Sequence, residues 1–260
     1  MKLALALTLT LLGASPVSAG LTQADLNSVE FAPPPNARVP LNALYRDANG
    51  RETTLGDAMA HHPALLLPVD YACRTTCGPA LSIVSSALAR SGVASDEYRL
   101  LLVGLDPQST AREARAFAEA RIADPKLLAA TSVLTGSPDA IRTLTDAIGY
   151  RYRPDETNKA FAHPTGLVAL TPDGRVARAL SSLGVESNDL RLALTEASEG
   201  RIGGMLGRLS LLCYGFDPVH GIYTSVIERL LMVAGLVTVI LLAGAVAAMS
   251  FFTNRRGARS

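Results

Sequence analysis

Apolar positions alternate between continuous runs of strand length and stretches at helical spacing. Ala64 to Val69 is a continuous apolar run, and from about Thr76 the residues Leu81, Val84, Ser85 and Leu88 recur on one helical face as far as Gly92. This predicts a buried strand, a turn and a helix. Tyr98 to Leu105 predicts a second buried strand, and Thr110 with Glu113 forms a capping box for a helix running to about Ile122. Thr131 to Leu134 predicts a third strand, after which Ser137 as N-cap and Pro138 at the first helical position open a helix that stops at Gly149.

Two hairpins flank this alternation. Leu41 to Arg46 and Arg51 to Thr54 surround Asp47-Ala48-Asn49-Gly50, where Asn-Gly supplies the positive φ angles of a tight turn. A short helix is expected over Leu55 to Ala60. Gly166 to Leu170 and Arg175 to Leu180 surround Thr171-Pro172-Asp173-Gly174, and Ser187 caps a helix to about Ser198. No internal repeat is present. Helices alternating with buried strands, closed by a hairpin, predict an α/β domain over 41–200: a thioredoxin-like mixed sheet with helices on both faces.

The ends of the chain follow other rules. Met1-Lys2, the apolar run Leu3 to Gly13 and the small-residue site Val17-Ser18-Ala19 read as a secretory signal over 1–19, cleaved after Ala19. Residues 20–40, with Pro33-Pro34-Pro35, read as an extended, partly disordered lead-in. After a juxtamembrane segment, 201–229, Leu230 to Phe252 offers 23 residues without a charge, enough for one C-terminal transmembrane helix. Arg255, Arg256 and Arg259 lie in the tail 253–260, against Arg229 alone on the other side, so the C-terminus is expected in the cytoplasm and the domain on the periplasmic or extracytoplasmic side.

Charge then removes one class of partner. Residues 20–228 carry 19 basic and 23 acidic side chains, a net of −4, with no basic cluster interleaved with aromatics. Nucleic acid is therefore not an expected partner. Nor is there a Gly-x-Ser-x-Gly elbow, a Walker loop or a paired-histidine zinc motif.

The candidate chemistry lies in Val69-Asp70-Tyr71-Ala72-Cys73-Arg74-Thr75-Thr76-Cys77-Gly78-Pro79, which holds two of the three cysteines. Four residues apart at the start of a helix, Cys73 and Cys77 share a face, within reach of a disulfide or a common ion. The helix N-terminus favours thiolate over thiol, which serves metal ligation and disulfide exchange equally. Three residues between the cysteines, rather than two, is unusual for a dedicated exchanger. Soft thiolates favour copper(I) or zinc, and imidazole suits both.

Among the four histidines, His61 and His62 sit in a turn before a strand and are read as unliganded, and His220 sits in a turn near the membrane with no role assigned. His163, in Phe161-Ala162-His163-Pro164, precedes the strand Gly166 to Leu170, where a thioredoxin-like sheet brings it beside the dithiol turn. From the residues alone, a ligand and a solvent-facing histidine are equally good readings. Thioredoxin-like sites often place a cis-proline beside the dithiol, so the His163-Pro164 peptide is open at this stage. Asp70 and Asp106 are candidates to support the site from the strand ends, and Cys213 is read as a buried, inert cysteine.

From about Val39 to Glu199 the chain resembles the SCO/SenC family of copper chaperones. The resemblance is carried by Tyr71-Ala72-Cys73-Arg74-Thr75-Thr76-Cys77-Gly78, by Gly104-Leu105-Asp106-Pro107, and by His163 followed by Leu167-Val168-Ala169-Leu170-Thr171-Pro172-Asp173-Gly174. It implies copper held by Cys73, Cys77 and His163 and delivered to the dinuclear copper site of cytochrome c oxidase subunit II or another cuproprotein. An upstream copper donor or thiol reductant is implied as well. The chain departs from the family pattern in placing Gly78 before Pro79 and in an anchor at the C-terminus. Two other functions stay open: a thiol-disulfide oxidoreductase using Cys73 and Cys77, with His163 only tuning them, and a structural disulfide staple.

Overall fold

The computed structural model describes residues 27–73, 75–155, 160–201, 232 and 235–242. Three parallel strands form the middle of the molecule: β4 (Ala64–Val69), β5 (Arg99–Gly104) and β6 (Thr131–Gly136), in adjacent register from Leu65 opposite Leu100 to Val103 opposite Leu134. Antiparallel strands extend the sheet on both sides. Beyond β6 lies the hairpin β2 (Leu44–Arg46) and β3 (Glu52–Thr54), and beyond β4 the hairpin β10 (Gly166–Leu170) and β11 (Val176–Ser181). The order is β11-β10-β4-β5-β6-β2-β3. This is the thioredoxin-like mixed sheet that the alternation predicts.

Every residue of β4 is buried, because the strand is covered on both faces and the side chains point alternately to each. Leu65, Leu67 and Val69 face α2 (Cys77–Ala89), α3 (Ala111–Glu119) and α6 (Ser187–Ser198), meeting Leu81, Phe117 and Leu194. Ala64 and Leu66 face α1 (Leu55–Met59) and α5 (Pro138–Ala147), meeting Met59, Ile141 and Leu144. The capping boxes at Thr54 with Asp57 and at Thr110 with Glu113 start α1 and α3 where the sequence places them.

Pro68 stands in a strand with neighbours on both sides, where a missing N–H normally costs a ladder bond. Here it costs none. Pro63 O and Val69 O accept from Arg99 and Leu105 N–H on the β5 side, so Pro68 faces β10, whose pairing has already stopped at Val168 opposite Leu66. The two strands part at that point, and the chain before Gly166 rises to the C-terminal end of β4.

Several expectations need correction. The lead-in is not separate from the domain: β1 (Glu30–Phe31) pairs antiparallel with β7 (Tyr150–Arg151), and Ala37 and Val39 are buried against the α1 and α5 face. Only Gly50 of the Asn-Gly pair has positive φ, because the Asp47 carboxylate accepts from Asn49 and Arg51 N–H and shapes a longer loop. The cap of α6 is Glu186 with Asp189, one residue before Ser187. The pattern does not reveal α4 (Pro125–Ala129), β7, or the small hairpin β8 (Arg153–Asp155) and β9 (Ala160–Ala162), all too short to show a period.

The signal 1–19, Cys213, His220 and the tail 253–260 lie outside the described residues. Of the Leu230 to Phe252 run, 232 and 235–242 are described; they are helical and exposed. Among the described residues no helix is long and apolar enough to cross a membrane.

Candidate metal centre

β4 ends in a buried acid that shapes the dithiol turn. Asp70 Oδ1 accepts from Ala72 N–H at 2.9 Å and Asp70 O from Cys73 N–H at 3.1 Å, which turns the chain towards α2. Burial pushes the Asp70 carboxyl up, the Ala72 N–H opposes this, and the negative Cys73 adds to the rise. Tyr71 anchors the turn to the sheet, its hydroxyl 2.8 Å from Leu102 O and 3.1 Å from Leu134 O. Its ring lies so close to Gly104 that a β-carbon there would stand 2.7 Å from Cε2. That contact explains the glycine in Gly104-Leu105-Asp106-Pro107. Asp106 itself caps its own turn, accepting from Gln108 N–H at 2.8 Å.

Gly78 lies under a charged, flexible side chain. The Arg121 guanidinium stacks 4.0 Å over the Phe117 ring and lies across the start of α2, where a β-carbon on residue 78 would stand 2.7 Å from Nε.

Cys77 opens α2 and is buried, with its sulfur 3.0 Å from His163 Nε2. The imidazole comes from the segment between β9 and β10, and the His163-Pro164 peptide is trans, like every described peptide. Cys73 is half-buried, with its sulfur 3.5 Å from the Thr75 hydroxyl and 3.8 Å from that of Thr76. It also interacts with the Cys77 thiol and the His163 ring. Both cysteines are free.

The two thiols share one proton unequally. Hydrogen bonding from Cys77 holds Cys73 far below the usual thiol range, helped by His163 and Thr75. The same interaction, with burial, pushes Cys77 far up. Asymmetry of exposure gives the direction, since the partly exposed sulfur carries charge at lower cost than the buried one.

The structure thus brings Cys77 and His163 into contact and sets Cys73 and Asp70 beside them. His61 and His62 sit before the opposite end of β4, about 20 Å away by strand rise. No three His, Cys, Asp or Glu side chains converge as a closed cage among the described residues. The site is a touching S–N pair with a second sulfur beside it.

A residue that the periodicity did not single out completes the arrangement. Tyr150, directly after the helix-stopping Gly149, is buried, and its hydroxyl lies 2.9 Å from His163 Nδ1 and 2.5 Å from Pro164 O. Burial raises its pKa well above 10.0, so the phenol keeps its proton. The only sequence signal was an aromatic residue following a left-handed glycine.

Charge asymmetry predicts an order of reaction. In reduced, metal-free protein, iodoacetamide is expected to label Cys73 before Cys77, with a Cys73 rate nearly flat from about pH 8.5 to about pH 6. An ordinary thiol would slow by about tenfold per pH unit over that range. Site-resolved mass spectrometry checks this, and earlier labelling of Cys77 would contradict it.

A strand-turn-helix dithiol facing an imidazole across a thioredoxin-like sheet defines a class: domains that present two thiols and a nitrogen donor at the sheet's C-terminal edge. A family model described as SCO1/SenC matches residues 47–193, and the chain belongs to that family. Among solved structures, it is similar to a putative electron transfer protein from Aquifex aeolicus VF5, with a TM-score of 0.56, 21% identity, and coverage of 64% of this chain and 95% of that one. BsSco, a member of the Sco family of cytochrome c oxidase assembly proteins in which a disulfide switch was identified, matches with a TM-score of 0.53, 17% identity and coverage of 65% and 98%. Yeast Sco1 with copper bound matches with a TM-score of 0.50, 14% identity and coverage of 66% and 93%. No curated protein matches the chain.

Proposed function

We propose that this protein is a copper metallochaperone that holds copper(I) through Cys73, Cys77 and His163 Nε2 and hands it to a cuproprotein. The recipient we favour is the dinuclear copper site of cytochrome c oxidase subunit II. The observation that carries the reading is the 3.0 Å contact between Cys77 Sγ and His163 Nε2 beside a second, charge-bearing sulfur. Two soft sulfurs and a neutral imidazole suit copper(I) in a three-donor site. Family membership and the copper-bound yeast relative support it. Cys73 is the more exposed sulfur, so it is the natural point of handover: a recipient thiolate displaces it while Cys77 and His163 still hold the cargo.

Tethering belongs to the same proposal. The uncharged run Leu230 to Phe252, with apolar side chains exposed at Leu236, Val237, Val239, Ile240, Leu241 and Leu242, supports a membrane anchor with the domain outside the cytoplasm.

The reduced protein, titrated anaerobically with copper(I), is expected to bind one ion, and X-ray absorption is expected to count two sulfurs and one nitrogen. A site of sulfur alone, or no binding, would overturn the reading.

A second reading is favoured by the free, unequally protonated cysteines. The Cys73 thiolate attacks a partner's disulfide, forming a mixed disulfide and releasing one partner thiolate. Cys77, giving its proton to His163 Nε2, then attacks Cys73 Sγ. The partner leaves with two reduced sulfurs and this chain with a Cys73–Cys77 disulfide.

A further inference from the structure

Three polar atoms meet behind His163 at hydrogen-bond distance from one another. Tyr150 Oη lies 2.5 Å from Pro164 O and 2.9 Å from His163 Nδ1, and Nδ1 lies 2.9 Å from Pro164 O. The carbonyl can only accept, and the phenol has a single proton. Were Nδ1 to carry a lone pair, two acceptors would face each other and the phenol could satisfy only one of them. With hydrogen on Nδ1, the phenol donates to Pro164 O, Nδ1–H donates to the phenol oxygen, and no lone pairs clash. Tyr150 is buried and His163 and Pro164 are half-buried, so water compensates the loser only in part.

The phenol is itself held in place. The Phe31 ring meets the Tyr150 ring edge-on, with centroids 5.6 Å apart at 70°, and the β1–β7 pairing sets the two residues opposite each other. Gly166 leaves room for Phe31, since a β-carbon there would stand 2.3 Å from Cδ1. On its other side the tyrosine ring stacks on the imidazole, with centroids 6.3 Å apart at 26°. Phe31, Tyr150, His163 and Cys77 therefore form one contiguous line from the N-terminal segment to the dithiol.

We propose that Tyr150 is a positioning residue that, together with Pro164 O, keeps hydrogen on His163 Nδ1 and holds the ring so that Nε2 faces Cys77 and any ion the sulfurs hold. The consequence for copper rests on the chaperone reading; the tautomer does not. A partner on the non-ligating nitrogen orients a histidine ligand and raises its basicity. This partner is a phenol on β7, placed there by the N-terminal strand.

Tyr150→Phe keeps the ring and its packing and removes only the hydroxyl. In reduced, metal-free protein with 15N-labelled histidine, long-range 1H–15N spectra are expected to show the Nδ1–H tautomer for His163. In Tyr150→Phe, Pro164 O still accepts from Nδ1–H, so the tautomer is expected to persist, but the Nδ1–H proton is expected to exchange with water measurably faster. Copper(I) affinity, measured by competition with a chelator, is expected to fall about tenfold. A wild-type His163 in the Nε2–H form, or a variant whose Nδ1–H exchange is unchanged, overturns the proposal. Faster Nδ1–H exchange in Tyr150→Phe, in a protein that binds no copper(I), upholds the positioning role and removes the chaperone reading; copper binding with exchange unchanged does the reverse.

Discussion

Cys77→Ser is expected to lower copper(I) affinity by more than about 100-fold, beyond the range for losing a supporting partner of a metal ligand. The change replaces a soft sulfur by a hard hydroxyl at the one buried donor that touches His163, 3.0 Å from Nε2. His163→Ala is expected to lower affinity less and to leave X-ray absorption showing sulfur ligands only. The pair of variants also separates the two functions. Disulfide exchange needs both cysteines and uses the imidazole only to accept a proton, so His163→Ala is expected to keep exchange activity, at a reduced rate, while losing the copper nitrogen. An affinity and coordination unchanged in both variants would sink the three-residue site.

The second large effect is expected far from the sulfurs. Gly149 has φ +61°, and a β-carbon there would stand 2.0 Å from Ala32 O and 2.5 Å from Ala32 C. Those are backbone atoms, so no side-chain rotation relieves the clash. Gly149→Ala therefore has to push the N-terminal segment off β7 and break the 2.9 Å bond from Ala32 N–H to Gly149 O. The left-handed conformation costs roughly 1–2 kcal/mol in an L-residue, and the lost hydrogen bond about 1 kcal/mol more. A total loss of about 2–3 kcal/mol is expected in urea unfolding, with protease cleavage appearing near residues 27–36. Gly50→Ala is the control, because Gly50 has φ +76° and open space around it, so it bears only the conformational cost. Equal losses in the two variants would show that the N-terminal segment contributes nothing to the fold. If Phe31 does hold Tyr150, Gly149→Ala also weakens copper(I) binding while Gly50→Ala does not.

Three local signals made much of the fold legible. The central strands are continuous apolar runs, the caps at Thr110 and Ser137 sit where their side chains bond the helix amides, and Gly174 stands at the φ +81° position of its turn. Each depends on residues within a few positions of one another. β1, β7, β8 and β9 were not legible because strands of two or three residues carry no period, and their existence depends on partners far away in sequence. Within the lead-in, the described residues 27–40 differ from the reading for the same reason. Its prolines and polar residues describe an extended chain correctly, but whether an extended chain is docked depends on Gly149 and Tyr150, more than a hundred residues on.

The site divides in the same way. By itself the sequence determined that two thiols stand at a strand-helix junction, that their spacing allows a common ion, and that His163 precedes a strand; these are matters of residue type and local order. The tertiary structure alone decided that the buried Cys77 stands 3.0 Å from the imidazole, that burial raises its thiol while the half-buried Cys73 is held low, and that a phenol stands behind Nδ1. Those facts follow from burial and from contacts across 86 and 13 residues of chain. Their energies depend on distance in space and on the absence of water, and neither quantity has a local signature along the chain.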